Sequence, residues 1–240
     1  LKHPLASILV LVAILAVSTS HSAAQFVLVR KTGSPYFLET ERHHLQTLSD
    51  GNHIDELKDL TRDYRDSQGR TRTELYKRSV IDDDRRLALD HFWIDLPDGS
   101  LLSLNPHFQT VENVGLEAVS FLMASPQYLD TDDEDDSNSA KTNPKAVVES
   151  ESIGNDVILG VEVSGTRTTT TYPPGAAGNE WAFRVVEETW WSQELGTVMR
   201  SRTVDPRIGE HVVRTTKFAR GEPDPALFDI PKDYTPVESK

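Results

Sequence analysis

The stretch Gly160-Val161-Glu162-Val163-Ser164-Gly165-Thr166-Arg167-Thr168-Thr169-Thr170-Thr171-Tyr172, closed by Pro173-Pro174-Gly175, decides the fold class. Valine and threonine dominate it, and their branched Cβ suits a pleated strand and crowds a helix. No apolar residue recurs at three- or four-residue spacing, so the segment cannot supply a helical stripe. It reads as strand over roughly 156–172, stopped where proline removes a ladder donor. The same chemistry continues outward in one direction: Trp181 to Ser192, Thr197 to Thr203 and His211 to Ala219, broken at Asp205-Pro206-Arg207-Ile208-Gly209.

In the other direction the pattern begins at Tyr36. Ser49-Asp50-Gly51-Asn52 reads as a hairpin turn, since Asp-Gly tolerates the positive φ of a type I′ loop. With Asp50 and Gly51 as the loop, Leu48 falls opposite His53 and Glu39 opposite Arg62, an opposite-charge pair. Asp66-Ser67-Gln68-Gly69-Arg70 reads as the next turn. Its simplest register sets Asp63 against Glu74, so either a bulge at Gly69 moves the register by one or both acids face solvent. Phe92 to Leu96, the turn Pro97-Asp98-Gly99, and Leu101 to Leu104 complete a meander of short strands.

Val114 to Met123 is dense in apolar residues and is the best helix candidate, with a buried strand nearly as good a reading. From Asp130 to Lys145 there is no large apolar side chain, and such a segment cannot bury enough surface to offset its ordering entropy. Near the end, Asp224-Pro225 offers an N-cap followed by proline, so Pro225 to Phe228 is expected to form one helical turn that fixes Leu227 and Phe228 in the core. The expected organisation is a signal peptide at 1–24, a first half of the sheet at 25–129, a flexible acidic linker at 130–145 and a second half at 146–240.

The signal-peptide reading rests on Lys2 and His3, an apolar run from Leu5 to Val17, and small residues at Ser22 and Ala24. Cleavage is expected before Gln25, and the apolar run is shorter than the roughly 20 residues of a spanning helix. The expected product is periplasmic or secreted, with no stable membrane anchor. The chain holds no cysteine, which excludes disulfides, thiolate metal sites and a lipidated cysteine. Its net charge of −13 opposes phosphate backbones, so nucleic acid is not an expected partner.

Chemistry-bearing patterns are sparse. His43 and His44 are adjacent, and on a strand they point to opposite faces. The acidic run Asp130 to Asp136 fails the calcium-loop test, because Asp135 stands at the glycine position and Lys141 at the bidentate-glutamate position. No Gly-x-Ser-x-Gly elbow is present, and Gly99-Ser100 lies in a turn instead. No catalytic residue, metal site or cofactor is therefore assigned.

Several segments resemble a large set of uncharacterised secreted bacterial proteins: Gly160 to Arg167, Trp190-Trp191-Ser192-Gln193-Glu194-Leu195, Asp205 to Glu210, Glu222 to Phe228, and Arg65 to Arg72. As a group these are similar in architecture to LolA-like carriers, which sort lipoproteins through the periplasm, and to sensor domains of envelope-stress regulators. The resemblance implies a mainly β fold, a strongly curved antiparallel sheet forming a half-barrel around an apolar concavity, with few short helices.

Two sets of side chains then become candidates. Trp93, Trp181, Trp190 and Trp191 could line an apolar concavity, and alternation puts Trp190 and Trp191 on opposite faces. Thr166, Thr169 and Thr171 could offer an exposed strand edge to a protein partner. The expected role is a non-enzymatic envelope protein that carries or senses an apolar ligand, lipid or lipoprotein-like. The alternatives are a protein-interaction module or, with less support, a hydrolase with an unrecognised site.

Overall fold

The computed structural model describes residues 33–78, 87–114 and 144–237. Twelve strands form one open sheet: β1 (Tyr36–Thr47), β2 (His53–Arg65), β3 (Thr71–Arg78), β4 (Leu87–Asp95), β5 (Leu101–Asn105), β6 (Thr110–Val114), β7 (Val147–Ile158), β8 (Val161–Tyr172), β9 (Phe183–Ser192), β10 (Thr197–Asp205), β11 (Gly209–Arg220) and β12 (Thr235–Val237). Their order is β12-β6-β5-β4-β3-β2-β1-β11-β10-β9-β8-β7, so β7 and β12 are the two margins and do not meet. Every pairing is antiparallel except β12 with β6. Register shifts interrupt the β1/β11, β1/β2, β3/β4, β9/β10 and β7/β8 ladders, and such bulges bend a sheet. One apolar cluster accordingly gathers Tyr36 and Leu38 of β1, Val161 and Val163 of β8, Met199 of β10 and Leu195, although β1 and β8 are four places apart in the sheet.

The hairpin registers show how glycine position sets pairing. The Asp50-Gly51 loop is one residue longer than the two-residue loop expected: Leu48 N–H donates to Asn52 O, Gly51 N–H donates to Leu48 O, and Gly51 sits at φ +84. This type I turn with a left-handed glycine pairs Thr47, not Leu48, with His53. The shift between Arg42 and His43 then restores the expected Glu39–Arg62 pair. Gly69, at φ +83, does the same in the second hairpin, and of the two readings offered by the sequence the one-residue shift is correct. Asp63 faces Thr73, whose hydroxyl donates to Oδ1 at 2.6 Å, and the unfavourable pairing with Glu74 is avoided.

Strands β1 to β3 share a row of alternating charge. Glu39 accepts from Arg62 at 2.9 Å and pairs with Lys217 at 2.8 Å, Arg62 donates to the Tyr76 hydroxyl, and Tyr76 donates to Glu74. Arg72 donates to Glu74 at 2.8 Å and lies 3.9 Å from the Phe92 ring centre. Burial alone would raise Glu39, but the hydrogen bonds from Lys217 and Arg62 outweigh it and hold the carboxyl below its ordinary range.

The chain end seals this row. Asp224 caps a 3-10 turn, Pro225–Phe228, as the sequence led us to expect, and Leu227 O accepts from Arg72 at 2.8 Å. Phe228 is buried with Phe92, Ile94, Leu104 and Val111, and Tyr234 packs against the same cluster. β12 then runs beside β6, and Pro236 at its centre offers no N–H to a further strand. The helix candidate from Val114 onward, the linker at 130–145 and the signal segment at 1–24 lie largely or wholly outside the described residues.

Candidate functional site

The opposite margin is built differently. β7 was not expected as a separate strand: the single run read over 156–172 is a hairpin, Ile158 pairing with Val161 around Leu159-Gly160. Leu159 and Gly160 lie at φ +51 and +78, as a two-residue type I′ loop requires, and leucine is a poor residue for that conformation. No Asn-Gly or Asp-Gly signal announced the turn. Further along, a bulge between Ser152 and Gly154 interrupts the ladder opposite Gly165. A Cβ on Gly165 would lie 2.7 Å from both the Trp190 ring and Ile153, so the glycine lets the ring cross β8 and lock β7, β8 and β9 together.

Beyond that lock β7 is almost wholly exposed, Val147, Val148 and Val157 by 56–63%. No described residue pairs with its outer side. Glu151 lies opposite Arg167, which bridges it at 3.0 Å and Glu188 of β9 at 2.8 Å. Glu149 lies opposite Thr169, and the hydroxyls of Ser150 and Thr168 are 3.0 Å apart. Asp156 accepts from the Val157 N–H and from Arg200 at 3.0 Å, and these two bonds hold its carboxyl below the usual carboxylate range. At the hairpin end, an open depression of about 590 Å³ is lined by Val157, Glu162, Ser164, Trp191 and Glu194 among others.

The structure does not gather the four tryptophans. Trp190 packs against the β1/β8/β10 cluster with Arg200 over its ring at 4.7 Å, while Trp191 is partly exposed in the depression. Trp181 is 81% exposed in the β8–β9 loop, where the Asn179 side chain donates to Pro173 O and Trp181 O. Trp93 lies far from these on β4, its ring 4.6 Å from that of His91, and its Nε1 is buried without an acceptor among the described residues. Thr166, Thr169 and Thr171 are not at an edge. β8 is paired on one side with β7 and on the other with β9, so the edge the sequence placed there belongs to β7.

The histidines divide among structural contacts. His43 bonds Asp55 and Glu41, His44 stacks on His211 at 4.6 Å and bonds Ile208 O, and burial, with His44 beside it, pulls His211 below its ordinary value. His91 is also lowered by burial and lies 2.6 Å from the Ser103 hydroxyl. That pair sits mid-sheet, where the flanking strand N–H groups serve the ladders to β4 and β6, and an oxyanion would find no converging donors there. No group of three metal-ligating side chains occurs among the described residues. None of the described helices is long and apolar enough to cross a membrane.

No family model matches the chain, and no curated protein does. Among solved structures it is similar to an uncharacterized conserved protein from Thermus thermophilus, with 11% identity over 88% of this chain and 93% of that one at a TM-score of 0.43. MucB in its complex with MucA from Pseudomonas aeruginosa is similar at 10% identity and a TM-score of 0.42, over 87% of this chain and 59% of that one. A putative outer membrane lipoprotein-sorting protein domain from Vibrio parahaemolyticus gives 7% identity and 0.29, over 82% and 91%. At these identities and TM-scores none of the three likenesses carries an activity over to this chain.

Proposed function

We propose that this chain is an exported, non-enzymatic binding protein of the cell envelope that takes its ligand along the β7 margin, and that the ligand is an extended polypeptide. The observation that carries the reading is the 12-residue β7, whose outer backbone groups are unpaired among the described residues and whose valines face solvent. A row of free N–H and C=O groups is a template for strand addition, in which the ladder supplies affinity and alternate side chains supply selectivity. The basic end, apolar run and small residues of 1–24 support export.

An apolar ligand, a lipid or lipoprotein acyl chain, is the second reading. Trp191 beside Val157 in the open depression favours it. Native mass spectrometry of the protein isolated from its own envelope, with amide exchange on the same sample, separates the two. A bound polypeptide with slowed exchange in β7 is the expected result. Bound lipid with β7 exchange unchanged transfers the case to the apolar ligand, and an empty protein with fast β7 exchange defeats both.

A further inference from the structure

The β7 margin carries a charge pattern as well as a backbone template. Along an extended strand, alternate residues share a face, and the ladder to β8 fixes which ones. Glu149 and Glu151 lie on the face that looks across to Thr169 and Arg167, whereas Val148 and Ser150 lie on the other, opposite Thr170 and Thr168. The Arg167 guanidinium is divided, since it serves both Glu151 and Glu188. Glu149 meets a threonine. This face of β7 therefore carries two carboxylates against one shared cation, and the Glu151 side chain, though it reaches Arg167, is 63% exposed.

That pattern discriminates between occupants. If a second copy added antiparallel with the sheet faces in line, Glu149 and Glu151 would meet the same acidic face of the copy, and like charges directly opposite destabilise a ladder. The overall charge of −13 adds long-range repulsion between copies. A strand with cations at the facing positions gains at both. We propose that β7 accepts, by strand addition, a partner segment with Lys or Arg at every second position, the cations facing Glu149 and Glu151 and the intervening small or apolar side chains lying beside Val148. This deepens the strand-addition reading above and rests on it.

The test uses the full chain and three synthetic peptides of equal length, alternating threonine with lysine, serine or glutamate. Binding is read by fluorescence anisotropy and by exchange of the β7 amides. The expected order is lysine over serine over glutamate, with about a tenfold gap between the first two from a pair of cross-strand contacts, narrowing as salt is raised. The double substitution Glu149→Lys with Glu151→Lys is expected to reverse the order. Both side chains are exposed, so an unchanged denaturation midpoint confirms that the variant folds.

Equal binding of all three peptides with protected β7 amides overturns the charge inference and leaves strand addition standing. No binding, with β7 amides unprotected, overturns both. An unreversed order in the double variant, or a peptide-free dimer that protects β7, also overturns the proposal.

Discussion

The two margins of this sheet solve one problem in opposite ways. At the β6 side the chain returns to cover its own edge: Phe228 and Tyr234 fill the cluster around Phe92, Arg72 reaches Leu227 O, and proline stands in the last strand. At the β7 side the strand is long and exposed, and among the described residues it carries acids and a bulge in place of a covering segment. Both devices keep an edge from pairing at random. The difference is that one margin is finished by packing, while the other leaves its outer backbone groups unpaired among the described residues, with Glu149 and Glu151 exposed beside them. In this fold, then, the packed margin and the open one lie at opposite ends of the strand order.

The contrast is sharpest in substitutions that remove one member of a buried ion pair. Arg72 and Glu74 have side chains only 10% and 7% exposed, so Glu74→Ala leaves a guanidinium with little water and no carboxylate. A cost of about 3–5 kcal/mol is expected, read from the denaturant midpoint. A loss of less than about 1 kcal/mol, the range of an exposed pair, would show the two margins to be energetically alike. Next in size is Gly165→Ala. Its Cβ would press on the Trp190 ring and Ile153, and overpacking of this kind costs about 1–3 kcal/mol. The same variant should loosen β7 before the rest of the sheet, visible as faster amide exchange confined to β7 and β8.

How much of this was legible follows from the physics of each element. The β class and the Asp224-capped turn came from local chemistry, because branched side chains and a proline after a capping acid act over a few residues, whereas the Glu39–Arg62 pair matches only because the bulge between Arg42 and His43 offsets the one-residue difference at the turn. The register near Gly51 did not come from local chemistry. Two- and three-residue loops use the same Asp-Gly pair, and only the tertiary ladder selects between them. β7 was lost for a further reason: Leu159 occupies a left-handed position that leucine seldom takes, and Glu149 to Ser152 show no apolar alternation because neither side of that strand is buried. The edge was accordingly assigned one strand too far inward, to Thr166, Thr169 and Thr171. Trp190 and Trp191 could be separated by alternation alone, but what each tryptophan touches required the fold.

A smaller effect should appear in acid. The carboxyl of Glu39 is held below its ordinary range by Lys217 and Arg62, so its contribution is fully present above the unfolded carboxylate value of about 4.3 and is lost as pH falls through the lower folded value. Denaturant midpoints between pH 7 and pH 3 should therefore decline, and Glu39→Gln should flatten that decline while lowering the midpoint at pH 7. An equally steep acid limb in the variant would assign it to other carboxylates.

The smallest effect is expected at the open margin, and it is the one that separates the two ends most cleanly. Glu151 and Arg167 form an ion pair within 0.1 Å of the length of that between Glu39 and Arg62, 3.0 against 2.9 Å. Distance alone would rank them together. But the Glu151 side chain is 63% exposed and that of Glu39 only 4%, so water already solvates Glu151 and screens its partner. Arg167 also keeps Glu188 when Glu151 is removed, so no charge is stranded. Glu151→Gln should consequently leave the denaturation midpoint unchanged within error, and the comparison fails if it shifts the midpoint as far as Glu39→Gln does. If the margin binds a cationic strand, this substitution should weaken that complex with the stability of the free protein untouched, an uncoupling that the buried row of charge cannot show.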